Sequence, residues 1–276
     1  MNHSRKQRLK PLLDTVPPGF VVDTPWLTAR SIDPKSIHDY VARGWLERLV
    51  RGVYRRPTPQ GAPSDEAFWA ILLLSLQRLM NYPVHLGGES ALDLAGHTHY
   101  LHLGGTPRVH FYGDVPSWLK RLPTPTEIVV RRRTLFGDNP LGTEGFDVGD
   151  SALIHAWHWP IRASSPERAI LEALDELPRH ASFDNLDMVF EGLISLRPRR
   201  LTALLRDCRS VKVRRLFFVF ADRHDHPWRE HVDASAVDFG SGPRALVEGG
   251  RYHPDYRISV PETLMPAEPR PTDDDA

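Results

Sequence analysis

Cysteine is nearly missing from this chain of 276 residues: Cys208 is the only one, which excludes an internal disulfide and any cysteine-rich zinc site. It falls on the spacing Leu201, Leu204, Leu205, Cys208, which suits a small buried apolar side chain, with a reactive thiol as the alternative. Long apolar runs are missing too. The longest, Phe68 to Leu76, is far too short to span a bilayer, and its neighbours carry no signal-peptide cleavage pattern. A soluble, cytoplasmic protein with no membrane partner is the expectation. No Gly-x-x-x-x-Gly-Lys loop is present to cradle a phosphate. No Glu-x-Lys or Asp-x-Lys follows an apolar strand in the second part of the chain, so the acid–lysine set that a metal-dependent nuclease needs is not visible. These absences predict neither catalytic residues nor a cofactor.

Net charge is also lacking, with 35 basic residues against 35 acidic ones. That balance hides a split. Residues 1–60 hold 11 lysines and arginines against 5 acids, a net of +6, which leaves 24 against 30, a net of −6, for the rest. Such asymmetry suggests a basic module joined to a neutral or acidic one.

The basic module has a recognisable order of signals. Arg5, Lys6, Arg8 and Lys10 precede Leu9, Leu12, Leu13 and Val16 at helical spacing, and Pro17-Pro18-Gly19 breaks the chain before Phe20-Val21-Val22. Thr24 and Asp33 can each cap a helix, and each is followed by a proline that loses no hydrogen bond in the first helical position. Ile37, Tyr40 and Val41 give the second of these helices an apolar stripe, and Gly44 can supply the left-handed residue that ends it. Trp45–Leu49 and Val53–Arg56 then flank Val50-Arg51-Gly52, a strand-turn-strand pattern. This order predicts a winged helix-turn-helix and makes double-stranded DNA the first partner to test. In that geometry the N-terminal part of the recognition helix faces base edges, which points to Lys35, Ser36, His38 and Asp39, with Arg43 near the backbone. Arg51, Arg55 and Arg56 suit phosphate or minor-groove contacts. A winged domain used only for protein contact is the alternative.

A proline-rich connector at 57–64 marks the expected boundary between a domain at 1–60 and one at 65–261, with a disordered acidic tail at 262–276. The second part reads as mixed α/β. Helices are expected over 65–80, from Gly87 or Gly88, after Ser164-Ser165-Pro166, across Phe183–Leu193 and across Leu201–Cys208. Strands are expected at Val109–Tyr112, Ile128–Val130, Leu216–Phe220, Val237–Phe239, Ala245–Val247 and Tyr256–Val260. Glu167, Glu172, Asp175 and Glu176 suit a solvated helix face, and Gly240-Ser241-Gly242 a hairpin turn. His97, His99 and His102 lack a diagnostic third-ligand interval, and His224-Asp225-His226 reads as a turn, so no metal site is expected. The clusters Arg131–Arg133, Arg197–Arg200 and Lys212–Arg215 are solvated surface or a docking face for an acidic protein or nucleic acid.

Several of these segments, in this order, resemble the AbiEi family, antitoxins and transcriptional regulators of type IV abortive-infection toxin–antitoxin pairs. The resemblance rests on Gly44-Trp45-Leu46, Val50–Tyr54, Gly87–Leu92, Ser164–Leu171, Cys208–Phe217 and Tyr256–Pro261. It implies an N-terminal winged helix-turn-helix that represses its own operon at inverted repeats, two copies pairing on the DNA, and a C-terminal antitoxin domain. The implied second partner is a nucleotidyltransferase-like toxin, opposed with or without a stable complex. The DNA role would fall to Lys35, Ser36, His38, Arg43, Arg51, Arg55 and Arg56. Lys212, Arg214 and Arg215 are the toxin-related candidates, with a structural role as the alternative. A nucleic-acid enzyme with a DNA-targeting module and a regulator answering a small ligand are the rival readings.

Overall fold

The computed structural model describes residues 2–58, 65–97, 108–146 and 159–265. They form a mixed α+β architecture with three sheets, divided between two compact units. The first unit takes residues 1–94, 100–133 and 143–164, and the second takes 95–99, 134–142 and 165–276.

The first unit begins with helix α1 (Asn2–Thr15), strand β1 (Val21–Asp23), helices α2 (Thr24–Ala29) and α3 (Pro34–Ala42), and the hairpin β2 (Glu47–Val50) and β3 (Val53–Arg55). These strands make a three-stranded antiparallel sheet in the order β1-β3-β2. Proline opens both short helices, but the first cap is Asp23, whose Oδ1 accepts from the Trp26 N–H at 2.9 Å. Thr24, expected as that cap, instead donates its hydroxyl to the Gly52 carbonyl at 3.3 Å. The longer Asp side chain reaches the exposed donors of the first turn from one residue further back.

Helix α4 (Asp65–Leu74) continues into a π-helical turn (Ser75–Leu79), and a five-stranded sheet follows. Its strands are β4 (Val84–Leu86), β5 (Arg108–Gly113), β6 (Glu127–Arg131), β7 (Thr143–Phe146) and β8 (Ile161–Ser164), in the order β6-β5-β4-β8-β7. Helix α5 (Gly88–Leu94) lies between β4 and β5 in the chain. One apolar core serves this sheet and the small one, running from Leu12, Phe20 and Leu27 through Ile71 and Leu74 to Leu86, Phe111 and Ala163. It has residues on both sides of the 57–64 stretch, of which 59–64 lie outside the described residues. Polar groups cross the same core. The Val21 N–H donates to Ser75 Oγ at 3.0 Å, and Trp26 Nε1 donates to the Leu79 carbonyl at 2.6 Å.

The second unit is built on helices α6 (Pro166–Asp175), α7 (Phe183–Gly192), α8 (Pro198–Asp207) and α9 (Val211–His224), with short strands β9 (Arg244–Ala245), β10 (Arg251–His253) and β11 (Ile258–Val260). The run Leu216–Phe220, expected as a strand, lies in the middle of α9. Ser210 caps that helix by accepting from the Val213 N–H at 3.3 Å, and Val213 to Ala221 are buried without interruption. A helix covered on every side shows no amphipathic period, so its apolar run looks like a central strand. Val237–Phe239 is likewise not a strand.

Charge is buried in this unit, contrary to the solvated face expected for α6. Glu167 is 1% exposed and Glu172 2%. Arg168 pairs with Glu172 at 2.9 Å and donates to the Asn139 and Leu141 carbonyls. Glu167 accepts from the Arg197 N–H and guanidinium and from the Ser165 hydroxyl. Burial alone would raise the Glu167 carboxyl, but these donors more than offset it and hold its pKa below the ordinary value. Arg215 is fully buried and donates to the carbonyls of Phe239, Gly240, Gly242 and Arg257. The Gly240–Gly242 segment is thus an arginine-bound loop. Its strand β9 runs parallel to β11, so the segment does not close a hairpin.

Replacing Arg215 with Met leaves those carbonyls without their donor, at ~1–3 kcal/mol for each group left unsatisfied. Urea denaturation should show a loss of about 3 kcal/mol or more for Arg215→Met; a loss below about 1 kcal/mol would contradict this account. Cys208 is 2% exposed, and burial pushes its thiol up to about 11. A thiol held protonated and enclosed should not react with a disulfide reagent at pH 8 until the protein is unfolded.

Candidate nucleic-acid interface

Helix α3 is held from both ends and from below. Asp33 caps it through Oδ1, which accepts from the Ser36 N–H at 2.8 Å, and through Oδ2, which accepts the Ser36 hydroxyl at 3.0 Å. Ile37 and Tyr40 are buried beneath it, and Gly44, at φ 73°, turns the chain out after Arg43. The spacing of these anchors leaves Lys35, His38 and Arg43 exposed on the outer surface. Ser36, expected among the base readers, is 1% exposed and its hydroxyl is used by the cap.

The hairpin divides its arginines into two groups. Arg51 is exposed at the tip, beside Gly52 at φ 82°, and Arg48 is exposed on β2. Arg55 instead pairs with Glu47 directly across the ladder at 2.7 Å, with 14% of its side chain exposed. Arg56 donates its Nη1 to the carbonyl of Val16 at 2.7 Å and to that of Leu13 at the end of α1. Burial draws the Arg56 pKa down from the usual guanidinium range, and Asp14 opposes that shift. Arg55 and Arg56 therefore hold the sheet and α1 in place, and the exposed lysine and arginines of α3, its cap and the hairpin are Lys35, Arg43, Arg48 and Arg51, with His38 exposed beside them. Arg48 was missed in the sequence because strand alternation is ambiguous in a four-residue edge strand with an irregular register between Arg48 and Val50.

The toxin-related candidates do not form an exposed patch. Lys212 donates to the Asp175 and Leu177 carbonyls at 2.6 and 2.8 Å, Arg214 is 9% exposed, and Arg215 is enclosed. Both arginines are thus buried, Arg215 bound by four carbonyls and Arg214 at 4.0 Å from Asp238. His224 and His226 follow the expected turn: Asp225 adopts a left-handed conformation, His224 contacts Asp187 and His226 contacts the Phe190 carbonyl. Among the described residues no group of three His, Cys, Asp or Glu is placed to hold a metal; His99 and His102 lie outside them. No helix among the described residues is long and apolar enough to cross a membrane.

Two family models cover nearly the whole chain. Residues 5–103 match the N-terminal domain of the AbiEi antitoxin transcriptional regulators, and residues 101–261 match the transcriptional regulator, AbiEi antitoxin, of type IV toxin–antitoxin systems. The chain belongs to this AbiEi antitoxin family. Among solved structures it is similar to the RV2827C protein from Mycobacterium tuberculosis, at 20% identity and TM-score 0.53, over 92% of this chain and 90% of that one, a likeness of fold. No curated protein matches the chain in sequence.

If Arg56 anchors α1 and Arg48 and Arg51 do not anchor anything, thermal melts should separate them. Arg56→Ala should cost ~1–3 kcal/mol by leaving helix-end carbonyls unpaired, whereas Arg48→Ala and Arg51→Ala should each stay within about 0.5 kcal/mol of the parent.

Proposed function

We propose that the first unit presents a winged helix-turn-helix and that this protein represses its own promoter by binding inverted repeats. The observation that carries this reading is the exposed cationic set Lys35, Arg43, Arg48 and Arg51, with His38 exposed among them, on α3, its C-cap and the β2–β3 hairpin, in a chain of a transcriptional-regulator family. Lys35 and His38 lie in the first turns of α3, the part of a recognition helix that meets base edges. Lysine donates to the acceptors of guanine in the major groove. Arg48 and Arg51, on and beside the hairpin, meet phosphate or enter the minor groove. Two copies on one operator place the half-sites one or two helical turns apart, each turn spanning about 34–36 Å.

The second role is that of an antitoxin opposing a nucleotidyltransferase-like toxin, without catalysis by this chain. Family membership supports the antitoxin role, and the absence of an acid–lysine constellation in the sequence supports a non-enzymatic one. With Arg214 and Arg215 buried, no toxin-facing role is assigned to that segment. Co-expression with a neighbouring nucleotidyltransferase should restore growth, and DNA incubated with the protein and Mg²⁺ should remain intact.

Operator binding followed across a salt series tests the interface. Each phosphate contact contributes about −0.9 to the logarithmic salt slope, so Arg48→Ala with Arg51→Ala should flatten the slope by ~1.8 and weaken operator and unrelated DNA alike. Lys35→Ala should instead narrow the gap between operator and unrelated DNA, by ~1–3 kcal/mol. An operator affinity unchanged in all three substitutions would remove α3 and the hairpin from the interface.

A further inference from the structure

Helices α7 and α9, strand β10 and the 3-10 turn Glu262–Leu264 border a cavity of about 550 Å³ that the DNA-binding reading does not use. Its lining residues all belong to the second unit. Helical spacing sets the polar side. Asp187 and Glu191 are four residues apart on α7, and Val219 and Arg223 four apart on α9, so each pair shares a helix face. Asp222 adds a third carboxylate, and Leu264 and Met265 extend the apolar wall begun by Val219.

Two of the three carboxylates are already paired. Asp187 accepts from Arg223 Nε at 3.0 Å and contacts His224 Nε2 at 2.7 Å. Asp222 accepts from Arg229 Nε at 2.5 Å and from the Tyr256 hydroxyl. That hydroxyl stays a donor, since burial first and then Asp222 push its pKa up to about 12. Glu191 differs from both. It is exposed, and among the described residues no hydrogen bond or ion pair engages its carboxylate.

His253 is the second unengaged group. It is 4% exposed, lines the cavity and packs its ring against Tyr256 at 5.0 Å. Its Nδ1 is sealed from solvent with no hydrogen-bond partner in the protein. A sealed N–H without an acceptor is less tolerable than a sealed lone pair, so in the neutral ring the proton belongs on Nε2. With Nδ1 enclosed, Nε2–H is the polar group that His253 can offer to the cavity.

An unengaged carboxylate, an unengaged imidazole donor and an apolar wall thus line one cavity, with three carboxylates against one guanidinium. We infer that this cavity binds a small cation of the basic amino-acid type. Its guanidinium or ammonium head sits on Glu191, its alkyl stem lies along Val219, Leu264 and Met265, and its carboxylate accepts from His253 Nε2–H. Both polar ends are charge-assisted bonds, and a planar guanidinium can take both oxygens of one carboxylate. The stem adds apolar burial between them. This site stands apart from the DNA-binding reading and does not depend on it.

Titration of the full chain with L-arginine, read by NMR from the methyl groups of its four methionines, tests the site. The Met265 methyl should shift saturably, and the Met80 methyl, in the other unit, should not. L-Citrulline replaces the guanidinium with a neutral urea, and agmatine lacks the carboxylate. Each should bind ~10-fold or more weakly, as the loss of one charge-assisted hydrogen bond requires. Glu191→Gln should weaken L-arginine by a similar factor while the unliganded variant melts like the parent, since that side chain holds nothing in the fold. The proposal is overturned by the absence of a saturable Met265 shift, by either analogue binding as tightly as L-arginine, or by an affinity unchanged in Glu191→Gln. Binding of the capped peptide acetyl-Gly-Arg-Gly-amide in place of L-arginine also overturns it, in favour of an arginine side chain on a partner protein.

Discussion

One buried carboxylate ties helix α2 to the rest of its unit. Asp23 is 3% exposed; one of its oxygens caps α2 through the Trp26 N–H, and the other accepts from Trp118 Nε1 at 3.1 Å. Trp118 stands in the 3-10 turn Ser117–Arg121, between β5 and β6, so a single side chain ties the helical pair to the larger sheet of its unit. A buried charge is costly unless its hydrogen bonds are made, and here the helix N-terminus and an indole N–H make them. Trp26, released from packing alone, also donates to the Leu79 carbonyl, and Arg30 lies over its ring at 3.7 Å. These bonds fix α2 against the π-helical turn and the turn that carries Trp118.

The second unit uses the same principle with the opposite sign. Two of its arginines are buried, as Glu167 and Glu172 are, and carbonyls or carboxylates surround them: Arg168 among Glu172, Asn139 and Leu141, and Arg215 among four loop carbonyls. Such groups are expensive to desolvate and more expensive to leave half-paired. Arg215 ties the Phe239–Gly242 loop to Arg257, since one guanidinium bonds carbonyls of both. The helices supply the apolar mass, including Phe190 and Phe220 stacked at 4.9 Å.

Local signals were read well where they act within a turn of chain. Asp33-Pro34 starts α3, Gly44 ends it, Ser165-Pro166 starts α6, and the strands at Val109 and Ile128 lie where their composition put them. Readings failed where a distant partner decides. Thr24 was expected to cap α2, but Asp23, whose other oxygen is held by Trp118 Nε1, takes the position. Glu167 and Glu172 alternate with apolar residues as a solvated face does, but Arg197 and Arg168 draw them inside. Arg55 and Arg56 look like a phosphate clamp until Glu47 and the end of α1 are seen beside them.

The sequence by itself determined the helix starts around Asp33, the basic character of residues 1–60, the apolar stripe beneath α3 and the family to which the chain belongs, because each depends on residues close in the chain or on motif order. Only the tertiary structure decided which polar side chains remain available: Lys35, His38, Arg43, Arg48 and Arg51 are exposed, Ser36 and Arg215 are buried, and Arg56 is half-buried against the carbonyls at the end of α1. The physical reason is that charge and hydroxyl groups are assigned by their partners. A guanidinium is the same residue whether it faces water or carbonyl oxygens, and the chain that supplies those carbonyls can be 24 or 42 residues away.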